Sequence, residues 1–144
     1  MLKPISAVAY LAMAGGIVGL VLMRKLFSPA PAVIIVQLLA FLLFLWARIT
    51  FGRRSFHAVA NPTEGGLVTN GPYRYIRHPI YTGLCLFTWP AVIAHWSWET
   101  AACGGLILAG SVIRIFCEET LIKVRYPEYR QYSARTWRMI PFLF

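Results

Sequence analysis

Asn70-Gly71-Pro72-Tyr73-Arg74-Tyr75-Ile76-Arg77-His78-Pro79-Ile80-Tyr81-Thr82-Gly83 is the stretch on which the reading of this chain turns. It sets two arginines, a histidine and three tyrosines directly against an apolar segment that begins at Ile80. Charges so close to lipid are costly unless they find partners. A run this dense in hydrogen-bonding groups at a membrane surface reads as a binding site for a polar ligand.

Outward from this stretch, the apolar residues come in blocks. The chain has 144 residues, 58% hydrophobic and 13% charged, with a mean hydropathy of +0.62. Soluble domains carry about 25% charged residues. The expectation is an all-α integral membrane bundle of about four transmembrane helices, with an amphipathic C-terminal segment along the cytoplasmic surface. The four spans are placed at Ile5 to Met23, Pro31 to Ala47, Ile80 to Trp96 and Thr100 to Cys117, each near the ~20 residues that cross a bilayer. The N-terminal block lacks a small-residue cleavage pattern and reads as a retained helix. Pro31 and Pro79 suit first helical turns, and Pro90 interrupts the third span. Residues 1–144 form one membrane domain, with a helical hairpin over 1–50 and a motif region over 65–141. Between them, Asn61-Pro62-Thr63-Glu64-Gly65-Gly66 carries turn chemistry.

The basic residues orient the bundle. With four spans, one side holds Lys3, Arg48, Arg53, Arg54, Arg74, Arg77 and the five cations from Lys123 to Arg138, while the other holds Arg24 and Lys25. The positive-inside rule places the rich side, both termini and the motif in the cytoplasm. Topology and anionic headgroups account for the net charge of +9 without nucleic acid. Cys85, Cys103 and Cys117 lie in apolar segments at no metal or redox spacing and read as core residues. No set of His, Cys and acidic residues has metal-ligand spacing, and dinucleotide, phosphate-loop and nucleophile-elbow fingerprints are absent.

A second constellation is Arg114 with Glu118 and Glu119. Arg114 and Glu118, four apart, share a helix face inside the last span. Two readings stand, a structural ion pair and a face that offers a zwitterionic ligand both a cation and a carboxylate. Glu118 and Glu119 are expected on different faces. His57 and His95 have no comparable context.

The run Leu67-Val68-Thr69-Asn70-Gly71-Pro72-Tyr73 to Arg77-His78-Pro79-Ile80-Tyr81-Thr82-Gly83 resembles the cofactor motif of the isoprenylcysteine carboxyl methyltransferase family, part of a membrane methyltransferase group that includes phospholipid N-methyltransferases. Glu118-Glu119-Thr120-Leu121, Tyr126-Pro127-Glu128-Tyr129, Tyr132 and Arg135 to Pro141 extend the resemblance to about half the chain. It implies S-adenosylmethionine as methyl donor. Gly66, Leu67, Val68, Tyr73, His78, Pro79, Tyr81 and Glu118 would bind that cofactor, and Arg114 would face the substrate carboxylate. The implied acceptor is a lipophilic or prenylated molecule in contact with membrane lipids, an isoprenylcysteine-like carboxylate first and a phospholipid amine as the alternative. A non-catalytic protein that binds anionic lipid is the alternative of another class. The short chain, with Tyr126-Pro127 where many members have Phe-Gly, resembles compact bacterial forms of the inner membrane.

Overall fold

The computed structural model describes residues 2–52 and 66–144. Helix α1 spans Leu2–Leu22, α2 Pro31–Phe51, α3 Pro79–Ala94, α4 Trp98–Arg125 and the short α5 Tyr129–Ala134. Gly71–Arg74 form one 3-10 turn before α3. The turn at residues 61–65 and His57 lie outside the described residues.

Local chemistry sets most helix ends. Pro31 and Pro79 open α2 and α3 at the position where a missing N–H costs nothing. Ser97 and Thr100 close a reciprocal capping box at the start of α4. Tyr126-Pro127 ends that helix, because the residue before proline is pushed to extended backbone. Helix α4 therefore overruns the expected stop at Cys117 by two turns. Its polar end stays helical because both glutamates find cationic partners. Helix α2 likewise continues past Ala47 to Phe51.

Helices α1, α2 and α4 are each long and apolar enough to cross a membrane, while α3, at 16 residues, is a shorter apolar helix. At 1.5 Å per residue it rises about 24 Å, less than the ~30 Å hydrocarbon core. The outer faces carry Leu11, Ile35, Leu39, Phe41, Ile49 and other large exposed apolar side chains, as expected of a helical membrane bundle.

The pairing differs from a simple N-terminal hairpin. Helix α1 lies along α4, and α2 lies along α3, so the first two helices each find their main partner in the second half of the chain. The α1/α4 approach is close. A Cβ on Gly110 would stand 2.6 Å from the Ala9 carbonyl oxygen and 2.5 Å from Met13 Cγ. Leu20, Val92 and Ile107 form the deep core where α1, α3 and α4 meet. Gln37 ties α2 inward by donating to the carbonyls of Leu26 (2.8 Å) and Phe87 (3.0 Å). Helices α3 and α4 approach one another less extensively than either approaches its main partner.

The C-terminal segment, expected as an amphipathic stretch, includes the short helix α5. After α5 the chain returns to the bundle. Ile76 and Trp137 form a parallel bridge, and Met139 is buried against Tyr81.

Candidate functional site

The motif before α3 is held in place by that returning segment. Arg77 and His78 donate their backbone N–H groups to the carbonyls of Trp137 (2.7 Å) and Arg138 (2.9 Å), and Trp137 donates to Tyr75 (3.0 Å). His78 is the residue just before α3, and Pro79 is its first. Tyr81 then sits one short step into the helix, its ring centroid 6.0 Å from that of His78.

Across the seam, α4 presents Arg114 and Glu118 one turn apart. The Tyr81 hydroxyl lies between them. It donates to Glu118 Oε1 at 2.5 Å and accepts from Arg114 Nε at 2.7 Å, while Arg114 Nη2 reaches Glu118 Oε1 at 3.2 Å. The three groups close a triangle that joins α3 to α4. Arg114 also approaches α1, through the Ser6 carbonyl (3.4 Å) and the face of Tyr10 (5.4 Å to the centroid). Arg114 is buried, whereas the Glu118 side chain keeps 23% of its surface exposed, which leaves the carboxylate able to accept further donors.

Glu118 and Glu119 leave the helix in different directions, yet His78 reaches both. Its Nδ1 lies 3.7 Å from Glu118 Oε2 and its Nε2 lies 3.4 Å from Glu119 Oε1. Glu119 is 2% exposed and gathers three cations, Arg77 Nε at 3.0 Å, Arg138 Nε at 3.3 Å and Lys123 Nζ at 3.8 Å. Arg77 in turn donates to the Ser133 carbonyl at 2.9 Å and to the Thr136 carbonyl. Sequence reasoning left Arg77, Glu119 and Arg138 without roles. The available signal was electrostatic, since a buried arginine beside a membrane requires a counter-charge.

Tyr73 stands in the 3-10 turn, buried against Phe51 with ring centroids 5.4 Å apart. The turn lies tight on the end of α2. Gly71 has φ +56°, and a Cβ there would meet Thr50 Oγ1 at 2.7 Å, so glycine is required twice over. Tyr132 donates to the Tyr73 carbonyl at 2.7 Å. Among the described residues the buried Tyr73 hydroxyl has no hydrogen-bond partner. Burial chiefly, then the fields of Tyr132 and Glu118, hold the phenol well above its usual range, so it remains a neutral donor. A buried polar group without a partner is uncommon and calls for an explanation such as a missing ligand.

Of the residues expected at the site, the structure thus brings His78, Tyr81, Arg114 and Glu118 into direct contact, with Pro79 following His78 as the first residue of α3. Tyr73 lies in the turn before α3, against Phe51. Gly66, Leu67 and Val68 form the half-buried approach to the 3-10 turn, with Gly66 at φ +86°. None of the hydrogen bonds of the cluster reaches them. His95 sits at the opposite end of the bundle, 2.9 Å from the Phe27 carbonyl.

Arg114, expected to face the substrate carboxylate, bonds directly to Tyr81 and Glu118.

The family model for phospholipid methyltransferase matches residues 34–129, two thirds of the chain, from α2 into the start of α5. No curated protein and no solved structure matches the chain.

Proposed function

This chain belongs to the phospholipid methyltransferase family and is a membrane methyltransferase, and we propose that it transfers a methyl group from S-adenosylmethionine to a lipophilic acceptor supplied by the bilayer. The observation that carries the proposal is the Tyr81–Arg114–Glu118 triangle, joined by His78, with the motif's buried Tyr73 hydroxyl lacking a partner among the described residues. The residues fit such a cofactor. Glu118 is a partly exposed carboxylate suited to an ammonium or ribose hydroxyls. Tyr73 offers a donor that the protein leaves unused. The aromatic faces of Tyr73 and Tyr81 can attract a sulfonium by ~0.5–2 kcal/mol. Gly66, Leu67 and Val68 would contribute backbone groups, and Pro79 would keep the His78–Tyr81 turn in register.

When bound, S-adenosylmethionine supplies an activated methyl group on sulfur. The task left to the protein is positioning and exclusion of water. Arg114 holds the Tyr81 hydroxyl and Glu118 in one geometry, and its charge lies where an anionic acceptor would approach. An isoprenylcysteine-like carboxylate is already a nucleophile and needs no general base, which matches a site whose acid–base groups are tied into ion pairs. The second reading is methylation of a phospholipid amine, favoured by the family match. An amine must lose a proton before attack. That reading needs a base, and His78 and Glu118 are the candidates.

The charge asymmetry supports a multi-pass orientation with the site on the cytoplasmic side. The N-terminus of α1, the C-terminal end of α2, the start of α3 and the polar end of α4 all gather at the site. The link at Arg24 and Lys25 meets the other end of α3, through Phe27 and His95.

The test is calorimetric binding of S-adenosylhomocysteine to detergent-purified protein beside Glu118→Gln. Loss of a charge-assisted bond worth ~1.5–3 kcal/mol corresponds to roughly 10- to 150-fold weaker binding. Transfer of labelled methyl from S-adenosylmethionine to N-acetyl-S-farnesylcysteine or to phosphatidylethanolamine then separates the two readings. Folded wild-type protein that fails to bind S-adenosylhomocysteine overturns the proposal.

A further inference from the structure

We infer that residues 137–144 form a strap across the lateral route by which the acceptor's apolar chain reaches the site, and that Met139 and Phe144 determine which chains fit. The inference rests on the methyltransferase reading above. A lipophilic acceptor must bring its polar end to Tyr81, Arg114 and Glu118 while its chain remains in the bilayer. These residues straddle the seam between α3 and α4, the two helices whose main partners lie elsewhere. On this inference the chain leaves the site along Tyr81. One turn deeper the seam is narrow but polar-lined, with Cys85 Sγ 3.8 Å from Ser111 Oγ.

The apolar surface around Tyr81 is made by Met13, Ile115 and Met139, with Leu84, Cys85 and Phe144 packed against them. Four of these six belong to helices α1, α3 and α4. Met139 and Phe144 belong to the strap, so they are the members that can move without disturbing a helix.

The strap has two faces. Inward, Met139 is 5% exposed, and its carbonyl accepts from Thr82 Oγ1 at 2.9 Å. Outward, Ile140, Phe142 and Leu143 are exposed large apolar side chains, which suits contact with lipid. Its inner face thus lies against Tyr81 and its outer face is apolar. Its own backbone is closed by a small turn in which Met139 and Ile140 both donate to the Phe144 carbonyl, at 2.8 and 2.9 Å. Phe144 is seated by the Arg138 guanidinium, 5.2 Å from its ring centroid, and by Phe116 at 6.4 Å. Methionine is an unbranched, adaptable filler, fitted to a wall that accommodates chains of varying shape. An apolar groove of about 560 Å³, lined by Phe27, Ile34, Phe41 and Phe87, adjoins the α1–α2 link at the far end of the bundle. It is too remote to deliver a polar group to Tyr81.

The experiment uses full-length protein with S-adenosylhomocysteine and two photoreactive probes, a cysteine bearing a diazirine-modified farnesyl chain and a phosphatidylethanolamine bearing a diazirine-modified acyl chain. Mass spectrometry maps the adducts, with and without unlabelled N-acetyl-S-farnesylcysteine or phosphatidylethanolamine as competitor. The expected result is competed labelling of the strap peptide with at least one probe. Competed labelling confined to the far groove or to the outer face of α2, or no competed label on the strap with either probe, overturns the inference. In turnover, Met139→Ala and Phe144→Ala should shift the kcat/KM ratio between long- and short-chain acceptors by on the order of tenfold, with S-adenosylhomocysteine affinity unchanged. An unchanged ratio in both variants, with cofactor affinity preserved, also overturns it. Wild-type protein that labels at the strap yet transfers no methyl group would remove the functional reading and leave the strap as a lipid-chain contact. Wild-type protein that methylates but labels elsewhere would remove the strap alone.

Discussion

Neutralising Glu119 should cost more than its lack of an assigned role in the sequence suggests. Its carboxylate is 2% exposed and faces Arg77, His78, Arg138 and Lys123. Glu119→Gln keeps the shape and removes the charge. The main loss falls on Arg77, whose side chain is 8% exposed. Breaking a buried pair costs ~3–5 kcal/mol, because the remaining charge stays uncompensated. Arg77 keeps its bonds to Ser133 and Thr136, which places its share near the lower bound. Arg138 and Lys123 are 31% and 55% exposed, so each contributes at most ~1 kcal/mol. The expected loss is about 3–4 kcal/mol, read from reversible unfolding in mixed micelles. A double-mutant cycle with Arg77→Met should give a coupling of about 2 kcal/mol or more. Hydrogen exchange should accelerate over residues 133–139, since Glu119 and Arg77 anchor that segment to the motif. A loss below ~1 kcal/mol with coupling below ~0.5 kcal/mol would refute the argument that this ion cluster fastens the C-terminal segment.

Other expectations follow from single contacts. Tyr73→Phe removes a buried hydroxyl that has no partner among the described residues, so the ligand-free protein should be unchanged or stabilised by about 1 kcal/mol. S-adenosylhomocysteine affinity should nevertheless fall by on the order of tenfold, about 1.4 kcal/mol, and unchanged affinity would remove Tyr73 from the cofactor site. Arg114→Ala should weaken cofactor binding as well as turnover, because Arg114 bonds both Tyr81 and Glu118; full cofactor affinity in that variant would return Arg114 to a role on the acceptor side alone. Gly110→Ala should cost ~1–3 kcal/mol by forcing α1 from α4, whereas Gly15→Ala, where a Cβ meets nothing within 4 Å, should be tolerated; equal stabilities by micelle unfolding would contradict the close α1/α4 approach.

Much of this protein is local and therefore legible in one dimension. Apolar blocks read directly as membrane helices, and Pro31 and Pro79 mark the starts of two of them, whereas the expected stop at Cys117 missed the continuation of α4 to Tyr126-Pro127. The Arg114–Glu118 face follows from helical spacing alone, and the His78–Pro79–Tyr81 run is contiguous. The partners of these groups are another matter. That Tyr81 closes a triangle with Arg114 and Glu118, that His78 meets both glutamates, that Arg77 and Arg138 converge on Glu119 and that Met139 returns to the core all depend on which helices lie side by side. In a bilayer, lipid-facing and protein-facing residues are both apolar. A helix that is apolar all round has no sequence-level stripe to say which neighbour it chooses. Close approach at small residues such as Gly110 and buried hydrogen bonds such as those of Gln37 make that choice. Composition and spacing determined a membrane helical bundle with a polar motif at one edge; only tertiary packing decided that α1 joins α4, that α2 joins α3, and that the C-terminal segment folds back to complete the site.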